Sequence, residues 1–203
     1  ANLSVLARRG GSRQGFGGSG PWVALSAVEQ SIRRKVEAAG APLRDWDVRI
    51  NYGIKTGCNE AFIIDTARRE AILARCRGAA ERERTEALIR PILRGRDIRR
   101  YGCEWAGLWL INAHNGVKGG VPRIDINEYP AVKAHLDQFW DKISSRADKG
   151  DTPYNLRNCA YLDDFARPKI VYMEIQTDNP KEGYPFPCFS YDEGNSIVLN
   201  TAY

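Results

Sequence analysis

Histidine is scarce in this chain of 203 residues: His114 and His135 are the only two. A serine or cysteine hydrolase needs a base beside its nucleophile. His114 falls in a glycine-rich loop, and His135 is expected to point away from the apolar stripe of its helix, so both read as surface side chains. The five cysteines, Cys58, Cys76, Cys103, Cys159 and Cys188, stand far apart with no C-x-x-C pair. They read as reduced thiols of a cytoplasmic protein, and with no Cys/His cluster at zinc spacing no metal site is expected. No window approaches the ~18 consecutive apolar residues of a membrane span. The opening ANLSVLARRGGSRQG lacks the apolar core of a signal peptide and an initiator Met. With 43% hydrophobic and 27% charged residues, the composition excludes a disordered chain, a collagen and a coiled coil.

Arginine is what the chain has in excess. There are 22 Arg against 8 Lys, and the formal net charge is +5. The excess is uneven: residues 1–100 carry a net +9 and residues 101–203 a net −4. A one-sided basic face suits a polyanion such as nucleic acid. Arg-favouring codons in a GC-rich genome and solvated helix faces would produce the same numbers.

Patterning along the chain predicts an α+β fold of mixed and antiparallel hairpins with interspersed helices and no βαβ repeat. Residues 8–20, RRGGSRQGFGGSG, have linker composition. Ser26 is placed to N-cap a helix with Leu25, Val28, Ile32 and Val36 on one stripe and Gly40 at its end. Alternation from Trp46 to Tyr52 predicts a strand, paired as a hairpin with 61–64 across a tip at 53–57. Helices are expected at 66–77, closed by Gly78, and at 85–90, stopped by Pro91. A strand is expected over 108–111, and a long helix over 130–147 with Val132, Leu136, Phe139, Trp140 and Ile143 inward. A strand at 169–175 and a last hairpin, 188–191 with 196–202, complete the reading. The apolar run at 199–203 and the missing Met read as marks of a piece cut from a longer chain.

Catalytic motifs fail one by one. Gly53-Ile54-Lys55-Thr56-Gly57 lacks the contiguous Gly-Lys-Thr of a P-loop, and Gly15–Gly20 has no preceding strand. Thr152 breaks the amino-methyltransferase-like tetrapeptide Asp151-Thr152-Pro153-Tyr154. Asp163, Asp164 and Lys169 are the nearest approach to a metal nuclease, at the wrong spacing and with Pro168 between them. No catalytic residue is assigned. What remains is recognition equipment. Lys55 and Thr56 sit on a glycine-flanked tip. Arg94, Arg96 and Arg99 surround Gly95, with Asp97 available to pair with one of them. Asn115 and Lys118 lie in a glycine-rich loop, and Asn155 and Arg157 in an irregular segment. Arg and Asn make the paired hydrogen bonds that grip phosphates and read base edges. The helix arginines (Arg68, Arg69, Arg75, Arg77, Arg82, Arg84) read instead as solvated partners of Glu70, Glu81 and Glu83.

At these segments the sequence resembles the TaqI-like specificity domain. The resemblance is carried by Leu43–Trp46 leading into Ile50-Asn-Tyr-Gly-Ile-Lys-Thr-Gly-Cys-Asn-Glu-Ala-Phe-Ile-Ile-Asp65, and by Ile89-Arg-Pro-Ile-Leu-Arg-Gly-Arg-Asp-Ile-Arg-Arg-Tyr101. Tyr129-Pro130, Tyr154-Asn155-Leu156-Arg157 and Pro168-Lys169-Ile170 follow in the same order. The resemblance implies a target-recognition domain over residues 43–203, truncated at its C-terminus, with 1–42 as linker and connecting helix. It implies double-stranded DNA as partner, joined by the N-terminal methyltransferase domain of a parent adenine-specific methyltransferase or fused restriction–modification enzyme. S-adenosylmethionine, with magnesium in a parent that also cuts, would serve that parent; this chain itself is expected to carry no cofactor. The alternatives left open are nuclease activity through Asp163, Asp164 and Lys169, and a protein-interaction module of a defence complex.

Overall fold

A computed structural model describes residues 25–203 except Thr177 and Asn195. The expected linker tract at 8–20 and the Asn195 corner of the expected last hairpin lie outside those residues. The backbone divides into two units, Ala1–Arg49 and Ile50–Tyr203.

In the first unit, helix α1 (Ala27–Ala39) starts where its capping residues place it. Ser26 Oγ accepts from the Glu29 N–H at 3.3 Å, and the Glu29 carboxylate accepts from the Ser26 N–H at 2.7 Å. Gly40 ends the helix, its N–H donating to the Val36 carbonyl. The predicted strand that should follow does not form: Trp46, Val48, Ile50 and Tyr52 are all exposed. Alternation makes a strand only where a neighbour accepts its ladder hydrogen bonds, and the segment meant to pair with it is engaged elsewhere.

The second unit begins with a single helical turn, α2 (Asn59–Phe62), running into strand β1 (Ile63–Asp65), then α3 (Thr66–Leu73) and α4 (Ala79–Leu88). Asp65 caps α3 by accepting from the Arg68 N–H at 2.7 Å. The helix predicted at 66–77 thus stops early, and Gly78 begins α4 rather than closing α3. Pro91, expected to stop a helix, lies within strand β2 (Ile89–Leu93). Short strands β3 (Ile98–Arg99), β4 (Gly102–Cys103) and β5 (Leu108–Ile111) follow. The long helix predicted at 130–147 is broken into α5 (Pro130–Leu136), a 3₁₀ turn (Asp137–Phe139) and α6 (Trp140–Ser145). Val132, Leu136 and Ile143 point inward as expected, whereas Trp140 is exposed. Strands β6 (Lys169–Tyr172), β7 (Phe189–Asp192) and β8 (Ile197–Val198) complete the chain.

The architecture is α+β, with small, mainly antiparallel sheets and several helices. The main sheet has the order β1-β5-β2-β8, with β5 antiparallel to β1 and β2, and β8 parallel to β2. β1 therefore pairs with β5 and not with 46–52. The last two strands do not form the predicted hairpin: β7 pairs with β6 and β8 with β2. Residues 199–203 are not a strand; they form isolated bridges, Ile54 to Leu199 and Met173 to Ala202, and further backbone hydrogen bonds such as Gly53 N–H to the Ala202 carbonyl and Glu174 N–H to that of Thr201. One core, including Phe62, Ile89, Ile92, Leu110, Val132, Leu136, Ile143, Leu156 and Val171, joins the sheets to the helices. His135, predicted on the surface, is 3% exposed within that core, its Nε2 lying 3.0 Å from the Ala61 carbonyl oxygen. The packing of α5 against α2 and α3 encloses it.

Candidate nucleic-acid interface

Loops of the second unit form four clefts that share walls. The first contains Arg94, Arg96 and Tyr184. It shares Asn59 with a second, which contains Lys55, Thr56 and Asp148. Lys55 and Asn200 also line a third, together with Arg157. The third shares Asn158, Cys159 and Ala160 with a fourth, where Asn115, Lys118 and Arg123 lie. Segments distant in sequence thus bring most of the predicted site residues to a row of adjoining clefts, the track. Glycine makes this possible: a Cβ on Gly53 would sit 2.2 Å from the Leu199 carbonyl oxygen, and one on Gly95 2.3 Å from that of Thr201. The tip carrying Lys55 and the loop carrying Arg96 are each seated against the chain's last turn.

The residues differ in what they have left to offer. Lys55, Arg96 and Lys118 are exposed and, among the described residues, make no side-chain hydrogen bond or ion pair. Lys118 is carried between Gly116 and Gly119, both at φ 78°. Arg157 is half-exposed and pairs with Asp148 at 3.1 Å. Arg94 grips Asp97 through Nη2 at 2.6 Å and Nε at 3.0 Å, and Asp97 is only 3% exposed. Arg94 is the partner that Asp97 takes from the arginine cluster. Arg99 lies beside the track, its guanidinium 4.3 Å from the Tyr184 ring centroid and 2.9 Å from Glu104.

Three predicted contacts are committed inside the protein. Thr56 is 1% exposed; its hydroxyl donates to Asn59 Oδ1 at 2.5 Å and accepts from the Cys58 N–H at 3.2 Å. Asn155 is equally buried, its amide donating to the Ile124 carbonyl at 3.0 Å while its oxygen accepts from the Thr152 hydroxyl at 2.6 Å. Asn115 donates to Asp151 at 3.0 Å and accepts from the Asp151 N–H at 2.8 Å. All three hold loops in place. A short polar side chain in a turn satisfies local backbone groups before it can reach a ligand.

Arg146 escaped the sequence reading, since nothing in its neighbours marks it. Its guanidinium is buried over the Phe62 ring at 4.3 Å. It donates to the carbonyls of Thr56, of Pro153 at 3.1 Å and of Asn155 at 2.5 Å. It thereby ties the Lys55 tip to the segment that carries Arg157. Burial lowers its pKa to about 10, which leaves it charged at neutral pH. Glu81, predicted to be a solvated partner of helix arginines, is buried and accepts from the N–H groups of Arg77 at 2.8 Å and Ala131 at 3.1 Å. Arg69 does pair with Glu70 at 2.7 Å, and also with Glu86 at 3.0 Å.

Of the nuclease candidates, Lys169 is held by Asp192 and by the Phe165 carbonyl at 2.9 Å. Asp164 accepts from Asn51 at 3.1 Å and pairs with Arg167 at 3.5 Å. Among the described residues no three His, Cys, Asp or Glu side chains gather as a metal site. No helix among them is long and apolar enough to cross a membrane.

Comparison with known proteins adds to this geometry. No protein-family model matches the chain. Over 165 residues it is 26% identical to the type II methyltransferase M.PaeR7I of Pseudomonas aeruginosa, covering 80% of this chain and 26% of that protein. The fold resembles part of the type IIL restriction-modification enzyme MmeI, solved in complex with DNA, with a TM-score of 0.50 at 14% identity; the match covers 76% of this chain and 19% of that one. The chain is thus related to restriction–modification proteins, and it spans about a quarter of the length of the curated relative it matches.

Proposed function

We propose that this chain binds double-stranded DNA sequence-specifically, as the target-recognition part of a larger restriction–modification protein. The observation that carries the reading is the track of adjoining clefts in which Lys55, Arg96 and Lys118 stand without partners. Unpaired cations on glycine-shaped loops, mounted on a packed core, are suited to phosphates and guanine edges. The likeness to a type II methyltransferase, and a fold shared with an enzyme solved on DNA, support the same reading. In it, residues 43–203 are a specificity domain of the TaqI-like kind and 1–42 connect it to a methyltransferase domain. Methyl transfer from S-adenosylmethionine to adenine is assigned to that domain, as is any magnesium chemistry of a parent that cuts. Lys55, Arg96, Lys118 and Arg157 face the nucleic acid, whereas Thr56, Arg94, Asn115 and Asn155 hold the loops that present them.

The test is fluorescence anisotropy with a library of duplexes, followed by titration of the preferred one against salt. A phosphate contact, once removed, weakens binding to every sequence and lowers the salt slope by about 1. A base contact, once removed, costs about 1–3 kcal/mol at one position of the site. Arg96→Ala and Lys118→Ala are each expected to do one or the other. If both leave affinity, slope and sequence preference unchanged, the interface lies elsewhere.

A further inference from the structure

The third cleft holds more than cations. It has a volume of about 640 Å³ and is lined by Tyr52, Lys55, Arg157, Asn158, Glu174 and Asn200, within the size range of small-ligand sites. Tyr52 is 55% exposed, and its ring is braced by Tyr203, centroid to centroid at 4.7 Å. Glu174 is exposed and Asn200 half-buried; among the described residues neither side chain makes a hydrogen bond or ion pair. The cleft therefore combines an open aromatic ring, a carboxylate that can only accept, an amide that can donate and accept, and two cations.

We infer that this cleft takes an unpaired nucleobase of bound DNA, with preference for a base that carries an exocyclic amino group. The inference deepens the duplex-DNA reading and rests on it. A nucleobase offers a π-face to Tyr52. The amino groups of adenine, cytosine and guanine are donors for Glu174, and Asn200 can pair with an adenine edge. Thymine has no amino group and leaves the carboxylate facing carbonyl oxygens. The ligand is a base within a strand and not a free nucleotide, because the cleft shares walls with two neighbours that carry cations suited to a strand's phosphates. Through Lys55 it joins the second cleft, and through Asn158–Ala160 the cleft of Lys118. A sugar–phosphate backbone can run through while one base turns in.

The experiment compares anisotropy titrations of the preferred paired duplex with the same duplex carrying one bulged dA or one bulged dT. The bulged dA duplex is expected to bind about tenfold more tightly than the paired one, in line with one base–aromatic stack, and the bulged dT duplex less tightly than the bulged dA. Glu174→Gln is expected to erase the difference between dA and dT, and Tyr52→Leu the gain from the bulge. Thermal melts of both variants establish that they are folded. The inference is overturned if bulged dA gains nothing, if dA and dT gain equally, if the gain survives Tyr52→Leu, or if the dA preference survives Glu174→Gln. The duplex reading fails separately, if the paired duplex loses nothing to Arg96→Ala and Lys118→Ala.

Discussion

The arginines around Gly95 are chemically alike and differ in what faces them. Arg94 neutralises Asp97, which is 3% exposed, so Arg94→Ala leaves a buried carboxylate unpaired. That substitution is expected to cost about 2–3 kcal/mol in urea unfolding. Arg96 has no such partner, so Arg96→Ala should leave stability within about 0.5 kcal/mol while weakening DNA binding. The two variants side by side separate a structural arginine from a binding one. Buried titratable groups predict an acid limit in the same way. Burial depresses the His135 pKa below 6.5, so below about that pH the unfolded chain takes up a proton that the folded chain refuses. The N–H of Arg77, then that of Ala131, hold the Glu81 carboxylate below its ordinary 4.5. Stability is therefore expected to fall first as pH drops through about 6.5, and further as it drops through 4.5 towards the folded value for Glu81. Denaturant midpoints measured from neutral to acid pH check this, and His135→Gln should shrink the upper step, to which His114, also depressed by burial, contributes the rest, and leave the lower one.

Among the elements, the short parallel strand β8 and the turn after it do most to shape the site. They bring residues 197–201 against β2, the Lys55 tip and the Arg96 loop. Gly53 is the point of closest approach, since an added Cβ would overlap the Leu199 carbonyl. Gly53→Ala is expected to destabilise the fold by about 2–3 kcal/mol and to loosen the Lys55 tip. A thermal melt reads the first effect, and the affinity for the preferred duplex reads the second. Arg146 complements this contact, tying the 56 loop to 153–155 with hydrogen bonds to carbonyls alone.

For the molecule as a whole, cations from separate segments converge on the clefts, where Glu60, Asp148, Asp151, Glu174 and Glu182 offset part of their charge. If Lys55, Arg96, Lys118 and Arg157 each neutralise one phosphate, the logarithm of the binding constant should fall with the logarithm of salt at a slope near −3.6, about −0.9 for each contact. A slope near −1 would show that most of these four face solvent in the complex.

The sequence by itself determined what depends on near neighbours. The Ser26 N-cap, strand 108–111, the loops that carry cations and the α+β class were all legible, because capping, periodicity and turn chemistry act over a few residues. Only the tertiary structure decided which strand pairs with which. β1 chose β5 over 46–52, and β8 left β7 for β2, because ladder hydrogen bonds and burial are won in competition between distant segments. Tertiary packing also buried His135 and Asn155, while local pairings took Asp97 to Arg94 and Thr56 to Asn59; among the described cations that line the clefts, Lys55, Arg96 and Lys118 are left without a side-chain partner.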